Sequence, residues 1–295
     1  DGNDWQWYEA NAAPTDDKTI NGCYFSTGTT DILLNRIGQI FKDITAPATN
    51  SSPKTTKSSK DIAANAFSCR LAQVDHFSKK DPFNVGNTIE GYVCRAKGKM
   101  GGSLYITHVN GVSVKPQIIY ATPKLEYPYI NSHSRELLNF DNVEMFVMMD
   151  KWNGMNVFFY KYFDNNGTMF ITAKTKGTPT LTDSEYGNFF SLTKEVLDRH
   201  SFGGDIPTIL MDMVRDEVLG MSFELCGRKE PHLVKYDFDI DLKPLFITYT
   251  DGKIKPILRQ NNVLSVPVYN SEGLIAAAIK DSQMVDFQKN EAFRK

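Results

Sequence analysis

The stretch Met148-Met149-Asp150-Lys151-Trp152-Asn153-Gly154 sets one lysine directly after an apolar run, with Asn and Gly close behind. The pattern K-x-[D/N]-G places an amine at a strand end, and its glycine lets backbone approach a ligand. A free lysine, with a pKa near ~10.4, is charged and a poor nucleophile. Desolvation and nearby cations lower that pKa and expose the neutral amine. Such an amine can attack the α-phosphate of a nucleoside triphosphate. Taken alone, the four residues also fit a surface lysine at a β-turn. Two acids follow in order. Glu224, in Met221-Ser222-Phe223-Glu224-Leu225-Cys226-Gly227, is one acid in an apolar strand, where it faces water or serves a ligand. Glu272, in Ser271-Glu272-Gly273-Leu274-Ile275, heads another apolar strand. The chain closes on Phe293-Arg294-Lys295.

This order resembles the covalent nucleotidyltransferase superfamily of ATP-dependent polynucleotide ligases and mRNA capping enzymes. KWNG resembles its motif I, FELCG motif III, EGLI motif IV, and a lysine near the C-terminal end motif V. The resemblance runs from about residue 115 to residue 295. RNA ligases fit best within it. Asn153 resembles the K-x-N-G of fungal tRNA ligases, where most relatives carry Asp. Thr175-Lys176-Gly177-Thr178 resembles the S-K-G-S stretch of the phage tRNA-repair ligase. Ala121-Thr122-Pro123-Lys124-Leu125, with FELCGRKEPHLVKYD, resembles RNA ligases that carry an OB domain ahead of the catalytic domain.

The resemblance implies a role for each matching residue. Lys151 would take AMP from ATP and release pyrophosphate. Glu224 would orient the nucleotide, and Glu272 would hold Mg²⁺ or Mn²⁺. Divalent cations of this kind suit carboxylate, phosphate and water oxygens. Phosphoryl transfer needs positioning and charge stabilisation above all. Lys124, Lys174, Lys176 and Lys295 would therefore hold phosphates, and their charge would help keep Lys151 neutral. Phe246 resembles the ring that stacks on adenine, with Ile275 closing the other face; plain core packing suits both equally. Met149, Asp150, Asn153 and Gly154 flank the nucleophile on the nucleotide side. Trp152 is the variable position and carries no assigned role. Motif V is normally K-x-K, and here Lys295 is the final residue. Lys289 is the alternative motif V lysine.

The elements that must position these residues follow from hydrophobic patterning. Hydrophobic residues make up 41% and charged residues 23%, the balance of a soluble globular chain, which excludes collagen-like and disordered classes. No apolar run approaches the roughly 20 residues of a membrane span. Residues 46–60, APATNSSPKTTKSSK, read as a flexible linker. TIEGYVCRA, SLYITHV and VSVKPQIIYA read as short strands, with Asn110-Gly111 a hairpin turn. MFVMM, MNVFFYKYF and TMFITAK continue in β style, and MSFELCG, LFITYT and GLIAAAI follow. Residues 184–200 and 206–219 read as helices, the second from Ile209, Leu210, Met213 and Val214. The fold class is α+β: a nucleotidyltransferase catalytic domain of antiparallel sheets with flanking helices, preceded by a β-rich, OB-like domain. Residues 1–115 form the N-terminal RNA-binding region and 116–295 the adenylyltransferase domain.

Net charge is −2, so nucleic acid would be gripped by a local patch such as Arg95, Lys97 and Lys99. Cys23, Cys69, Cys94 and Cys226 show no metal-ligand spacing and read as free thiols of a reducing, intracellular (cytoplasmic) compartment. Asp237, Asp239 and Asp241 alternate and read as a solvated acidic face. The reading that results is an ATP-dependent RNA ligase joining 5′-phosphate and 3′-hydroxyl RNA ends, with no membrane partner. The alternatives are a DNA ligase, a GTP-using capping guanylyltransferase, and a non-catalytic RNA-binding module on the same fold.

Overall fold

The computed structural model describes residues 57–122, 152–200, 210–231, 234 and 236–257 in full, and the backbone of four strands outside them. Those four are β1 (Asp4–Glu9), β2 (Asn21–Thr27), β7 (Val143–Asp150) and β13 (Leu264–Pro267), which form one antiparallel sheet in the order β1-β2-β7-β13. Between β2 and β7 come helix α1 (Ser59–Ala66) and strands β3 (Val74–Lys80), β4 (Thr88–Cys94), β5 (Leu104–Val109) and β6 (Val112–Ile119). These four strands make a second sheet, an antiparallel meander in chain order. After β7 come β8 (Met155–Phe163), β9 (Met169–Lys174), α2 (Phe189–Arg199), β10 (Val218–Cys226), β11 (Asp241–Tyr249) and β12 (Ile254–Pro256). The central sheet runs β12-β11-β10-β8-β9. The chain is α+β with three antiparallel sheets and few helices.

Local chemistry explains most boundaries. Asn110 and Gly111 both take positive φ (54° and 74°), the conformation a two-residue hairpin needs, and they join β5 to β6. Ser58 caps α1: its hydroxyl accepts from the Asp61 amide at 3.2 Å, and the Asp61 carboxylate accepts from the Ser58 amide at 3.0 Å. The end of the expected linker is thus the start of a helix; residues 46–56 lie outside the described residues. The expected helix at 184–200 is shorter, because residues 184–187 form a tight turn.

Of the expected helix at 206–219, Leu210 and Met211 are helical; the helix then stops in a short 3-10 turn at Asp212–Val214, and Val218 already opens β10. The buried Lys161 amine explains the stop. It donates to the carbonyls of Met213, Arg215 and Asp216, which a continuing helix would need for its own amides. Tyr236 to Asp241 is likewise not a continuous strand. Residues 237–239 bend, and β11 opens only at Asp241. Asp239 pairs with Arg228 at 2.6 Å and Asp241 with Lys243 at 2.7 Å.

Two cores lie on opposite faces of the central sheet. On one face Val157, Phe159, Met221, Phe223, Leu225 and Leu242 pack beneath α2, through Phe189 and Val196. On the other, Phe158, Tyr160, Tyr162 and Leu219 pack against Phe77, Ile89, Leu104 and Ile106 of the second sheet. The second sheet therefore shares its core with the central sheet. The expected boundary at 115/116 falls inside β6, and residues 4–9 and 21–27 pair through β2 with β7 rather than with β3–β6. Asp81, in the loop after β3, ties the two sheets together. Its buried carboxylate accepts from Tyr162 Oη at 2.8 Å and Thr172 Oγ1 at 2.7 Å.

Candidate active site

Cross-strand register brings the candidate residues to one face. Directly opposed residues in adjacent strands share a face. Phe246 on β11 opposes Ser222 on β10, Ser222 opposes Phe158 on β8, and Phe158 opposes Lys174 on β9. One row thus crosses four strands. A second row runs Lys243, Glu224, Asn156. Phe246, Glu224 and Lys174, chosen from separate stretches of sequence, lie on the same side of the sheet. The second sheet covers this face at the Tyr160–Tyr162 end of β8, and the candidate residues gather at its Met155 end.

The turn that enters β8 is held closely. The Gly154 amide donates to Glu224 Oε1 at 3.1 Å. A Cβ at residue 154 would overlap the Leu225 carbonyl oxygen, so only glycine lets this turn lie on β10. The Asn153 amide donates to the Tyr236 hydroxyl at 2.7 Å. Thr122, just beyond the second sheet, donates to Asn156 Oδ1 at 2.5 Å, and Asn156 Nδ2 donates to Ser222 Oγ at 2.9 Å. This network brings the chain leaving β6 to the site two residues before Lys124.

Tyr236, Phe238 and Trp152 form an aromatic group beside the turn. Tyr236 stacks on Phe238 with ring centres 5.1 Å apart, and Trp152 lies 5.5 Å from Tyr236. The Lys243 amine sits 4.6 Å from the Phe238 ring centre and 5.0 Å from that of Trp152. Burial, with the acidic groups of Cys226, Glu224 and Glu230 nearby, pushes the Tyr236 phenol up to about 12. Sequence reasoning passed over Tyr236. It lies near the end of the stretch FELCGRKEPHLVKYD, where no role was assigned to it, and no periodicity singles it out.

Lys174 is wholly buried, and its amine donates to the carbonyls of Thr175 at 2.8 Å and Lys176 at 3.3 Å. Burial first, then the charges of Lys176 and Arg95, bring its pKa down to about 7. This geometry makes Lys174 the support of the Thr175–Thr178 loop rather than an open phosphate ligand. Arg95, from the basic patch of the second sheet, donates to the Gly177 carbonyl of that loop at 2.6 Å. Lys176 is half-buried in the same loop. Phe246 is buried in β11, flanked in register by Ser222 and Pro256. Met149 and Asp150 end β7, opposite Gly22 and Asn21 of β2. Lys151, Lys124, Glu272, Ile275, Lys289 and Lys295 lie outside the described residues.

Asn153 Oδ1 is buried without a hydrogen-bond partner. An acceptor in that state is costly unless a ligand or water donates to it. Among the described residues, no group of three His, Cys, Asp or Glu side chains gathers as a metal cage. One carboxylate beside phosphate oxygens and water is the kind of donor set Mg²⁺ accepts. Comparison with protein-family models, curated proteins and solved structures finds no significant match. Among the described residues, no helix is long and apolar enough to cross a membrane.

Proposed function

We propose that the chain is an ATP-dependent RNA ligase of the covalent nucleotidyltransferase class, with an N-terminal OB-like, RNA-binding region ahead of its catalytic domain. The observation that carries the reading is the Gly154–Glu224 hydrogen bond. It joins the lysine-bearing turn to the one acid of β10, two segments that the sequence offers separately as motif I and motif III. The shared face of Glu224 and Phe246 and the unpartnered Asn153 Oδ1 add to it.

In this reading Lys151 attacks the α-phosphorus of ATP as a neutral amine. A P–N bond forms, the P–O bond to pyrophosphate breaks, and the amine proton passes to solvent. AMP then moves from Lys151 to the 5′-phosphate of an RNA end. A 3′-hydroxyl attacks that activated phosphate and displaces AMP. Glu224 holds the Gly154 amide and orients the nucleotide. Mg²⁺ or Mn²⁺, held by Glu272, would neutralise phosphate charge. The exposed Lys97 and Lys99, beside an Arg95 paired with Asp75 at 2.9 Å, give the second sheet cations for an RNA backbone. These RNA ends are its partners, and its compartment is a reducing one.

The test is intact mass after incubation with ATP and Mg²⁺, beside Lys151→Ala. A gain of one AMP in the wild type, absent from the variant and not reproduced with GTP, is the expected result. RNA and DNA end-joining assays then separate an RNA ligase from a DNA ligase. A folded wild type that gains no mass with either nucleotide sinks the enzyme reading and favours a non-catalytic RNA-binding module.

A further inference from the structure

We propose that Tyr236 is a positioning residue for Lys151, a role that rests on the nucleotidyltransferase reading above. Lys151 stands between β7, which ends at Asp150, and β8, which opens at Met155. These strands belong to different sheets, and the described amides of Asn153 and Gly154 between them are taken by side chains rather than by a strand. Two side chains serve instead. Tyr236 Oη takes the Asn153 amide at 2.7 Å, and Glu224 Oε1 takes the next one, from Gly154, at 3.1 Å. Both come from the chain around and beyond the end of β10, so the turn is gripped from one side. Glu224 already carries an expected role; Tyr236, further along the same FELCGRKEPHLVKYD stretch, carried none.

The grip is firm because the phenol itself is fixed. Its ring stacks on Phe238 at an interplanar angle of 19° and leans on Trp152, the residue next to Lys151. Lys243 closes over Phe238 and Trp152 and is anchored by Asp241. In-line attack requires the amine and phosphorus within about 3–3.5 Å in good alignment, and an error of about 1 Å costs on the order of 100-fold. Tyr236 holds the backbone two residues from Lys151, and the role assigned to it runs through that backbone. Its loss is therefore read in the rate of attack, not in ATP affinity.

Tyr236→Phe keeps the ring stack and deletes only the acceptor. Single-turnover formation of the AMP adduct is expected to fall about 10- to 100-fold. The ATP concentration giving half-maximal rate and the melting temperature should stay at wild-type values. Amide hydrogen exchange supplies a second readout, with Asn153 exchanging faster in the variant. An unchanged adduct rate, in a wild type that does form the adduct, overturns this inference alone. So does a slower rate accompanied by an equal rise in the ATP requirement or by a lower melting temperature. A wild type that forms no adduct overturns the ligase reading and this role with it.

Discussion

Gly154 donates its backbone N–H to the Glu224 carboxylate at 3.1 Å across 70 residues of sequence, and it does so from a position where no larger residue fits. The Leu225 carbonyl oxygen and the Cys226 Cβ occupy the space a side chain would take. The bond and the close approach are one arrangement: the turn lies flat on β10 because residue 154 has no Cβ. Gly154→Ala must push β8 from β10 or break the bond. Overpacking of this kind costs about 1–3 kcal/mol. Gly177, with nothing near its own Cβ position, is the control. Urea midpoints should fall for Gly154→Ala and stay put for Gly177→Ala, and adduct formation should go with the first. Equal midpoints for the two variants would show that the turn does not lie where it is described.

Asp81 binds the second sheet to the central one. Besides Tyr162 and Thr172, its carboxylate accepts from the Phe83 amide at 2.9 Å and from Asn84 Nδ2 at 2.8 Å. Asp81→Ala strands two buried hydroxyls and an amide, and a buried polar group left without its partner costs about 1–3 kcal/mol. Because Phe158, Tyr160 and Tyr162 share a core with β3–β6, the loss should appear as one cooperative transition moved to lower denaturant. Two separate transitions, with only the first displaced, would instead mean that the sheets fold independently.

Cys69 and Cys94 face each other with sulfurs 4.0 Å apart, and the three cysteines among the described residues are free. Burial, then the neighbouring Cys94, push the Cys69 thiol up to about 11. The thiolate is the reacting form. Cys69 is half-buried yet should alkylate far more slowly at pH 8 than an unhindered thiol such as glutathione. Quantified peptide mass spectrometry after iodoacetamide checks this, and labelling of Cys69 as fast as glutathione would count against the raised value.

The strands were legible where one period dominates. Met155–Phe163 and Met169–Lys174 match the runs read from sequence, since β-branched and aromatic residues around an Asp-Asn-Asn-Gly turn admit little else. The helix read past its end has a physical cause. Ile209, Leu210, Met213 and Val214 keep helical spacing, but Val218 and Leu219 serve a central strand that is buried on both faces. Such a strand is apolar throughout and shows no alternation. In the candidate site, motif order singled out Gly154 and Glu224, and the structure joins the two by a hydrogen bond. Tyr236 was not legible, because its role depends on one hydrogen bond across 83 residues. Lys174 was legible as a residue but not in its direction. Only the pairing of Phe158 with Lys174 fixes its face, and only its burial shows that its amine serves the loop.

Lys174 gives the protein a pH-dependent stability with a definite sign. Its folded pKa is lowered to about 7 by burial and by Lys176 and Arg95, against about 10.4 in an unfolded chain. Between those values the unfolded state binds the extra proton, so stability rises with pH across the window. Below about 7 the amine is charged in both states and its burial penalty is constant. Other groups titrate over the same range, so the signal is the difference from Lys174→Met, which keeps the bulk and removes the charge. The wild type should gain on the variant by up to about 1.4 kcal/mol per pH unit from pH 7 to 10 and hold a constant offset below. Denaturation midpoints at each pH measure it. An offset that stays flat through the whole window would mean that the amine reaches water, and Lys174 would then regain the open, phosphate-facing role that its burial denies it.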